Sequence, residues 1–176
     1  MPIAHLKDIN LNYREDGDPN GAPIVFANSL GTDLRLWDNI IDGLPDGLRI
    51  IRYNMRGHGQ SDCPDGPYSM GTLVRDVEQL LDMLGVKDAL FVGLSIGGMV
   101  AQGLAVKRLD LIRAMVLSNT AAQIGQPRMW QARSATAREG GVSARTAARL
   151  LSTLDPAAHP IRLSFGGACG RQHRTM

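Results

Sequence analysis

Residues 89–98 read Ala-Leu-Phe-Val-Gly-Leu-Ser-Ile-Gly-Gly, an apolar run that ends in Gly-x-Ser-x-Gly and opens onto a helix-like stretch. A serine on such a sharp strand-to-helix turn presents its hydroxyl outward, and Gly93 and Gly97 leave room where a Cβ would collide with the turn. Ser95 is therefore the candidate nucleophile. A serine hydroxyl is weak until a positioned base takes its proton, so the chemistry this pattern offers is acyl transfer by an activated serine. An oxyanion hole must accompany it, built from the N–H of the residue after the nucleophile and another from the loop after an early strand. Ile96 supplies the first donor. The loop Asn28-Ser-Leu-Gly-Thr32 follows the Ile24 to Ala27 run directly, with Leu30 the candidate second donor and Gly31 the bend. Alone, this stretch reads equally well as a polar turn; beside the elbow, the functional reading gains.

The base is harder to place. Arg56-Gly-His-Gly-Gln-Ser-Asp62 sets a histidine between two glycines that permit a tight loop. A triad on this kind of sheet runs serine, acid, histidine in chain order, and His58 precedes Ser95, so His58 reads as a structural residue hydrogen-bonded within its own loop. Downstream of Ser95 the remaining candidates are Asp155, His159 and His173. Asp155 and His159 keep the chain order but lie four apart in a segment without strand pattern, whereas a triad draws its acid and base from separate loops.

The elements that must position these residues are legible as alternating short apolar runs and helical stretches. Ile9 to Tyr13 alternates, Asp16 to Gly21 is a turn signal, and a hairpin is expected to open the fold. Apolar runs at Ile24–Ala27, Arg49–Tyr53, Leu90–Val92 and Ala114–Leu117 predict the β-α-β order of a mainly parallel sheet. Between Ser69 and Gly85, Leu73, Val74, Val77, Leu80, Leu81 and Leu84 make one helical stripe, with Ser69 as N-cap and Gly85 at the terminating position. A helix from about Ile96 to Lys107 is lined by Gly97, Gly98, Ala101, Gly103 and Ala105, thin enough to lie close on a sheet, and Lys107 and Arg108 suit its negative end. Past Asn119 the pattern changes. Met129 to Arg138 reads as an amphipathic helix carrying Trp130, residues 144–151 as another short helix, and the segment from Asp155 onward as irregular.

The chain's 176 residues suffice for one domain with a sizeable core. Residues 1–140 carry 14 Lys and Arg against 16 Asp and Glu, a net of −2, while residues 141–176 carry 5 Arg against Asp155 alone, a net of +4. The folded part is mildly acidic and has no basic stripe interleaved with aromatics, which disfavours nucleic-acid binding. Cys63 and Cys169 form neither a disulfide framework nor a metal-spaced cluster, and a reducing cytosol fits them. No signal peptide pattern and no apolar run near the ~20 residues of a membrane span is present. Oligomeric state is left open.

The elbow, the Asn28-Ser-Leu-Gly-Thr-Asp33 loop with nearby Trp37-Asp38, and Arg56-Gly-His-Gly-Gln-Ser-Asp62 together resemble the α/β-hydrolase superfamily over roughly residues 1–140. Ala27-Asn-Ser-Leu-Gly-Thr-Asp33 and Gly-Leu-Ser-Ile-Gly-Gly-Met-Val100 resemble, more narrowly, the 3-oxoadipate enol-lactonase family. The resemblance implies an α/β-hydrolase-type, mainly parallel sheet with helices on both faces. It implies hydrolysis of a small-molecule enol-lactone in bacterial breakdown of aromatic acids, without metal or organic cofactor. Ser95 would attack the carbonyl, the N–H groups of Leu30 and Ile96 would hold the oxyanion, and a triad histidine would activate the serine and then water. Residues 126–154 would begin a cap over the site, after a core spanning residues 1–125. There Trp130 either lines the pocket or packs the helix, and Arg128 and Arg133 either meet a substrate carboxylate or form a solvated face.

The family places its acid and histidine on later loops, beyond the cap. Residues 155–176, rich in Arg, Gly and Pro, therefore carry the expectation of a C-terminally incomplete fold, through truncation or a frame-shift, with impaired turnover and an exposed sheet edge. The alternatives that remain are a carboxylesterase, a C–C bond hydrolase or a perhydrolase, since one triad geometry serves all of them, and a non-catalytic remnant or interaction module.

Overall fold

A computed structural model of the protein describes residues 2–65 and 68–123. Six strands form one sheet: β1 (Ile3–His5), β2 (Asn10–Gly17), β3 (Ala22–Ala27), β4 (Leu48–Tyr53), β5 (Ala89–Leu94) and β6 (Ile112–Ser118), in the order β1-β2-β4-β3-β5-β6. β1 with β2 and β2 with β4 are antiparallel; β4, β3, β5 and β6 are parallel. The opening hairpin is β1–β2. The hairpin expected at the Asp16–Gly21 turn does not form, because β3 pairs with β4 and β5 while β2 crosses to the far side of β4.

Each crossover between parallel strands carries a helix. A short 3-10 turn at Leu34–Trp37 runs into α1 (Asp38–Ile41) between β3 and β4; α2 (Met70–Met83) links β4 to β5, and α3 (Ile96–Lys107) links β5 to β6. Strand alternation divides the core. Val25, Ala27, Ile51, Tyr53, Ala89 and Phe91 face α2 and α3, where Leu73, Val77, Leu80, Leu81, Val100 and Leu104 cover them. Ile24, Phe26 and Ile50 face the opposite side, packed with Trp37, whose ring centroid lies 4.9 Å from that of Phe26.

The helix bounds follow their local signals. The Ser69 Oγ accepts from the Thr72 N–H at 3.1 Å, and Gly85 stands in the left-handed conformation past the last turn of α2. The apolar stripe of α2 is buried as its spacing predicts, with one polar intruder, Asp76. β6 borders the described sheet, with Met115, Val116 and Leu117 exposed. Trp130, Arg128, Arg133, Asp155, His159, His173, the helices expected at 129–138 and 144–151, and the tail all lie outside the described residues.

Candidate active site

Ser95 sits between the last residue of β5 and the first of α3 with φ +56° and ψ −117°. This strained conformation is rare for a residue with a side chain, and the surroundings over-determine it. A Cβ on Gly93 would lie 2.6 Å from the Gly97 carbonyl oxygen, and one on Gly97 would lie 2.3 Å from the Ala27 carbonyl oxygen. Both glycines are thus the condition for a helix to start directly against two strand ends. From β6, the Ser118 carbonyl accepts the Ser95 N–H at 2.9 Å, and the Thr120 hydroxyl donates to the Ser95 carbonyl at 2.7 Å.

The Asn28–Thr32 loop is fastened at several points. Asn28 is fully buried; its Oδ1 accepts the Trp37 indole N–H at 2.6 Å and its Nδ2 donates to the Tyr53 carbonyl at 3.2 Å. Thr32 donates its N–H (3.2 Å) and its hydroxyl (2.8 Å) to the Ser29 carbonyl. Gly31 stands at φ +78°, the third position of that turn, where a left-handed residue is required. The Leu34 N–H donates to Asn54 Oδ1 at 2.7 Å, and Asn54 Nδ2 donates to Asn12 Oδ1 at 2.8 Å.

His58 joins this loop to its neighbour. The Gly31 N–H donates to His58 Nε2 at 2.9 Å, while Nδ1 lies 3.0 Å from the Arg56 carbonyl oxygen, which can only accept. In this arrangement Nε2 accepts and Nδ1 is the nitrogen placed to donate. The sequence places the ring's partners within its own loop; one is there, and the other is across the cleft. With both nitrogens engaged, His58 does not serve as the base for Ser95 in this arrangement. The loop itself is anchored by a bidentate Arg56–Asp76 pair, both bonds at 2.6 Å, nearly excluded from solvent.

Among the described residues, neither the Leu30 nor the Ile96 N–H has an acceptor within the protein. The two residues share the wall of a cavity of about 310 Å³ with Met55, Arg56, His58, Tyr68, Met70 and Leu73. Its polar side chains are engaged: Arg56 with Asp76, His58 with the Arg56 carbonyl and the Gly31 N–H, and the Tyr68 hydroxyl with the Pro64 carbonyl at 2.5 Å. The described residues contain no cluster of three His, Cys, Asp or Glu side chains able to hold a metal ion, and no helix long and apolar enough to cross a membrane.

Sequence reasoning missed Thr120. It also missed Asp76, whose place on an apolar helical stripe opposite Arg56 was the available signal.

A mainly parallel sheet, a strained serine between β5 and α3, and a glycine-bent loop after β3 define a class, and the chain belongs to it: residues 22–141 match the alpha/beta hydrolase fold family. Among its relatives, the chain is 40% identical over 156 residues to 3-oxoadipate enol-lactonase 2 of Acinetobacter baylyi, covering 84% of this chain and 58% of the relative. The crystal structure of an enol-lactonase from Burkholderia xenovorans LB400 superposes with a TM-score of 0.80 at 42% identity, covering 85% of this chain and 58% of that one. A carboxylesterase structure from Nitrososphaera gargenis superposes at 0.78 with 25% identity, over 92% of this chain and 61% of that one. The chain thus spans a little under two thirds of the length of these relatives.

Proposed function

We propose that this chain carries the nucleophile and oxyanion-hole portion of a lactone or ester hydrolase of the enol-lactonase type. The observation that carries the reading is the strained Ser95 together with two N–H groups, of Leu30 and Ile96, for which no acceptor lies among the described residues. In the reaction, Ser95 Oγ bonds the carbonyl carbon, the ring C–O bond breaks, and a base passes the serine proton to the leaving oxygen. Water then cleaves the acyl-serine. The negative charge that forms on the carbonyl oxygen is held by the two N–H groups, each worth on the order of 3 kcal/mol in the transition state.

The base comes from outside the described residues, since both nitrogens of His58 are engaged and His5 lies exposed on β1 against Asn10. The substrate is a small carboxylate-bearing lactone, 3-oxoadipate enol-lactone by the similarity to the two enol-lactonases. No cofactor enters these steps, and the setting is the reducing cytosol. Trp130, Arg128 and Arg133 would line the cap side, an arginine meeting the carboxylate.

The similarity to a carboxylesterase structure favours a second reading, a general esterase. Rates on the enol-lactone and on neutral esters such as p-nitrophenyl acetate separate the two. A lactonase prefers the carboxylate-bearing lactone and loses that preference in Arg128→Ala or Arg133→Ala, whereas equal rates on both substrates would replace this reading with the esterase.

A further inference from the structure

Two threonines lie behind the two N–H groups of the oxyanion hole in the same relation. The Thr32 hydroxyl donates to the Ser29 carbonyl at 2.8 Å, and the Thr120 hydroxyl donates to the Ser95 carbonyl at 2.7 Å. Ser29 C=O and Leu30 N–H belong to one peptide unit, and so do Ser95 C=O and Ile96 N–H. A trans peptide is planar with its C=O and N–H antiparallel, so fixing the carbonyl of each unit fixes the direction of the N–H on its opposite edge.

We infer that Thr32 and Thr120 are positioning residues that lock the two oxyanion-hole peptides from behind. The inference rests on the hydrolase reading above. Each lock does two things: it holds the N–H in place before charge develops, so that no reorganisation is needed at the moment of reaction, and it polarises the peptide it bonds.

The surrounding sequence is built to admit both side chains. A Cβ on Gly98 would lie 2.5 Å from Thr120 Cγ2 and 2.9 Å from its Oγ1. Gly98 is what lets Thr120 lie across the start of α3 and reach the Ser95 carbonyl. Gly31 lets the other turn close so that Thr32 returns to the Ser29 carbonyl. The two locks are not equal. The Ser95 carbonyl also accepts the Gly98 and Met99 N–H groups at 3.0 and 3.3 Å, so part of its restraint survives without Thr120. The Ser29 carbonyl has only the two bonds from Thr32 among the described residues, so the hydroxyl carries a larger share there.

The test compares wild type with Thr32→Val, Thr120→Val and the hydroxyl-retaining Thr32→Ser and Thr120→Ser. Two quantities are read: the NMR order parameters of the Leu30 and Ile96 amides, which need no turnover, and the pre-steady-state acylation rate constant with p-nitrophenyl acetate. Thr32→Val lowers the order parameter at Leu30 and Thr120→Val at Ile96, each at its own peptide. Both lower the acylation rate constant, Thr32→Val by about tenfold and Thr120→Val by less, short of the 10²–10³-fold that losing a donor outright costs. KM is unchanged, and the serine variants restore both quantities. Order parameters unaltered in the valine variants overturn the inference. So do lowered order parameters with unaltered acylation in a protein whose ester cleavage requires Ser95. Ester cleavage that survives Ser95→Ala overturns the proposed function instead, and the order parameters then decide the locks by themselves.

Discussion

His58 Nε2 accepts the Gly31 N–H at 2.9 Å, joining the loop after β4 to the loop after β3. A histidine between two glycines invites a reading as catalyst; here it is the fastener that keeps the Leu30–Gly31 peptide turned. Replacing it with alanine leaves that N–H without its acceptor and costs about 1 kcal/mol, visible as a lowered urea midpoint at unchanged m-value. Ser95-dependent ester cleavage persists in His58→Ala. Loss of all cleavage with unchanged stability would instead make His58 the base.

The Arg56–Asp76 pair is nearly excluded from solvent, with side-chain exposures of 9% and 4%. Asp76→Asn strands a buried guanidinium and is expected to destabilise the protein by about 3 kcal/mol, while a surface ion-pair substitution such as Arg14→Gln changes stability by under about 1 kcal/mol. Chemical denaturation of the two variants beside wild type checks the contrast. Equal losses would mean that the pair is not what anchors the His58 loop.

At the far ends of α2 and α3, Lys107 holds the Glu78 carboxyl below its ordinary 4.5, and Arg108 holds Asp82 and Asp110 below their ordinary 3.8. Depressed carboxylate values mean that the fold favours the charged forms. Their contribution is complete above about pH 4.5 and is lost as pH falls through the lowered values. Melting temperatures of wild type and Arg108→Gln are therefore expected to differ at pH 7 and to converge in acid. A gap that widens on acidification contradicts the sign.

Gly97→Ala would push a Cβ to 2.3 Å from the Ala27 carbonyl oxygen, a backbone atom that cannot rotate away. The expected loss exceeds about 2 kcal/mol, with the elbow displaced if the chain still folds. A melting temperature near wild type would show that α3 can withdraw from β3 without strain.

The strands and the long helices were legible because their signals are local. Alternation and apolar runs fall on β2 to β6, Ser69 caps α2, and the reading of α3 as Ile96 to Lys107 agrees with its observed bounds. The elbow's glycines were legible because sterics at a serine turn act over four residues. The supports of the site were not. Asn28 finds Trp37 and Tyr53, Arg52 finds Asp16 and Asp38, Arg56 finds Asp76, and Ser95 finds Thr120, each partner 9 to 36 residues away. A polar residue read along the chain looks like a turn or a solvated face. Only the crossover topology brings such residues together and removes them from water. The β2–β4 pairing escaped for the same reason, because β2 lies nearer to β3 in sequence but is separated from it in the sheet by β4.

Rapid-mixing hydrolysis of p-nitrophenyl acetate with intact-mass analysis decides whether Ser95 is the nucleophile. A nitrophenolate burst is expected, accompanied by an acetyl adduct that maps to Ser95, both absent in a folded Ser95→Ala variant. A burst of equal size in Ser95→Ala, or an adduct on another residue, would rule Ser95 out.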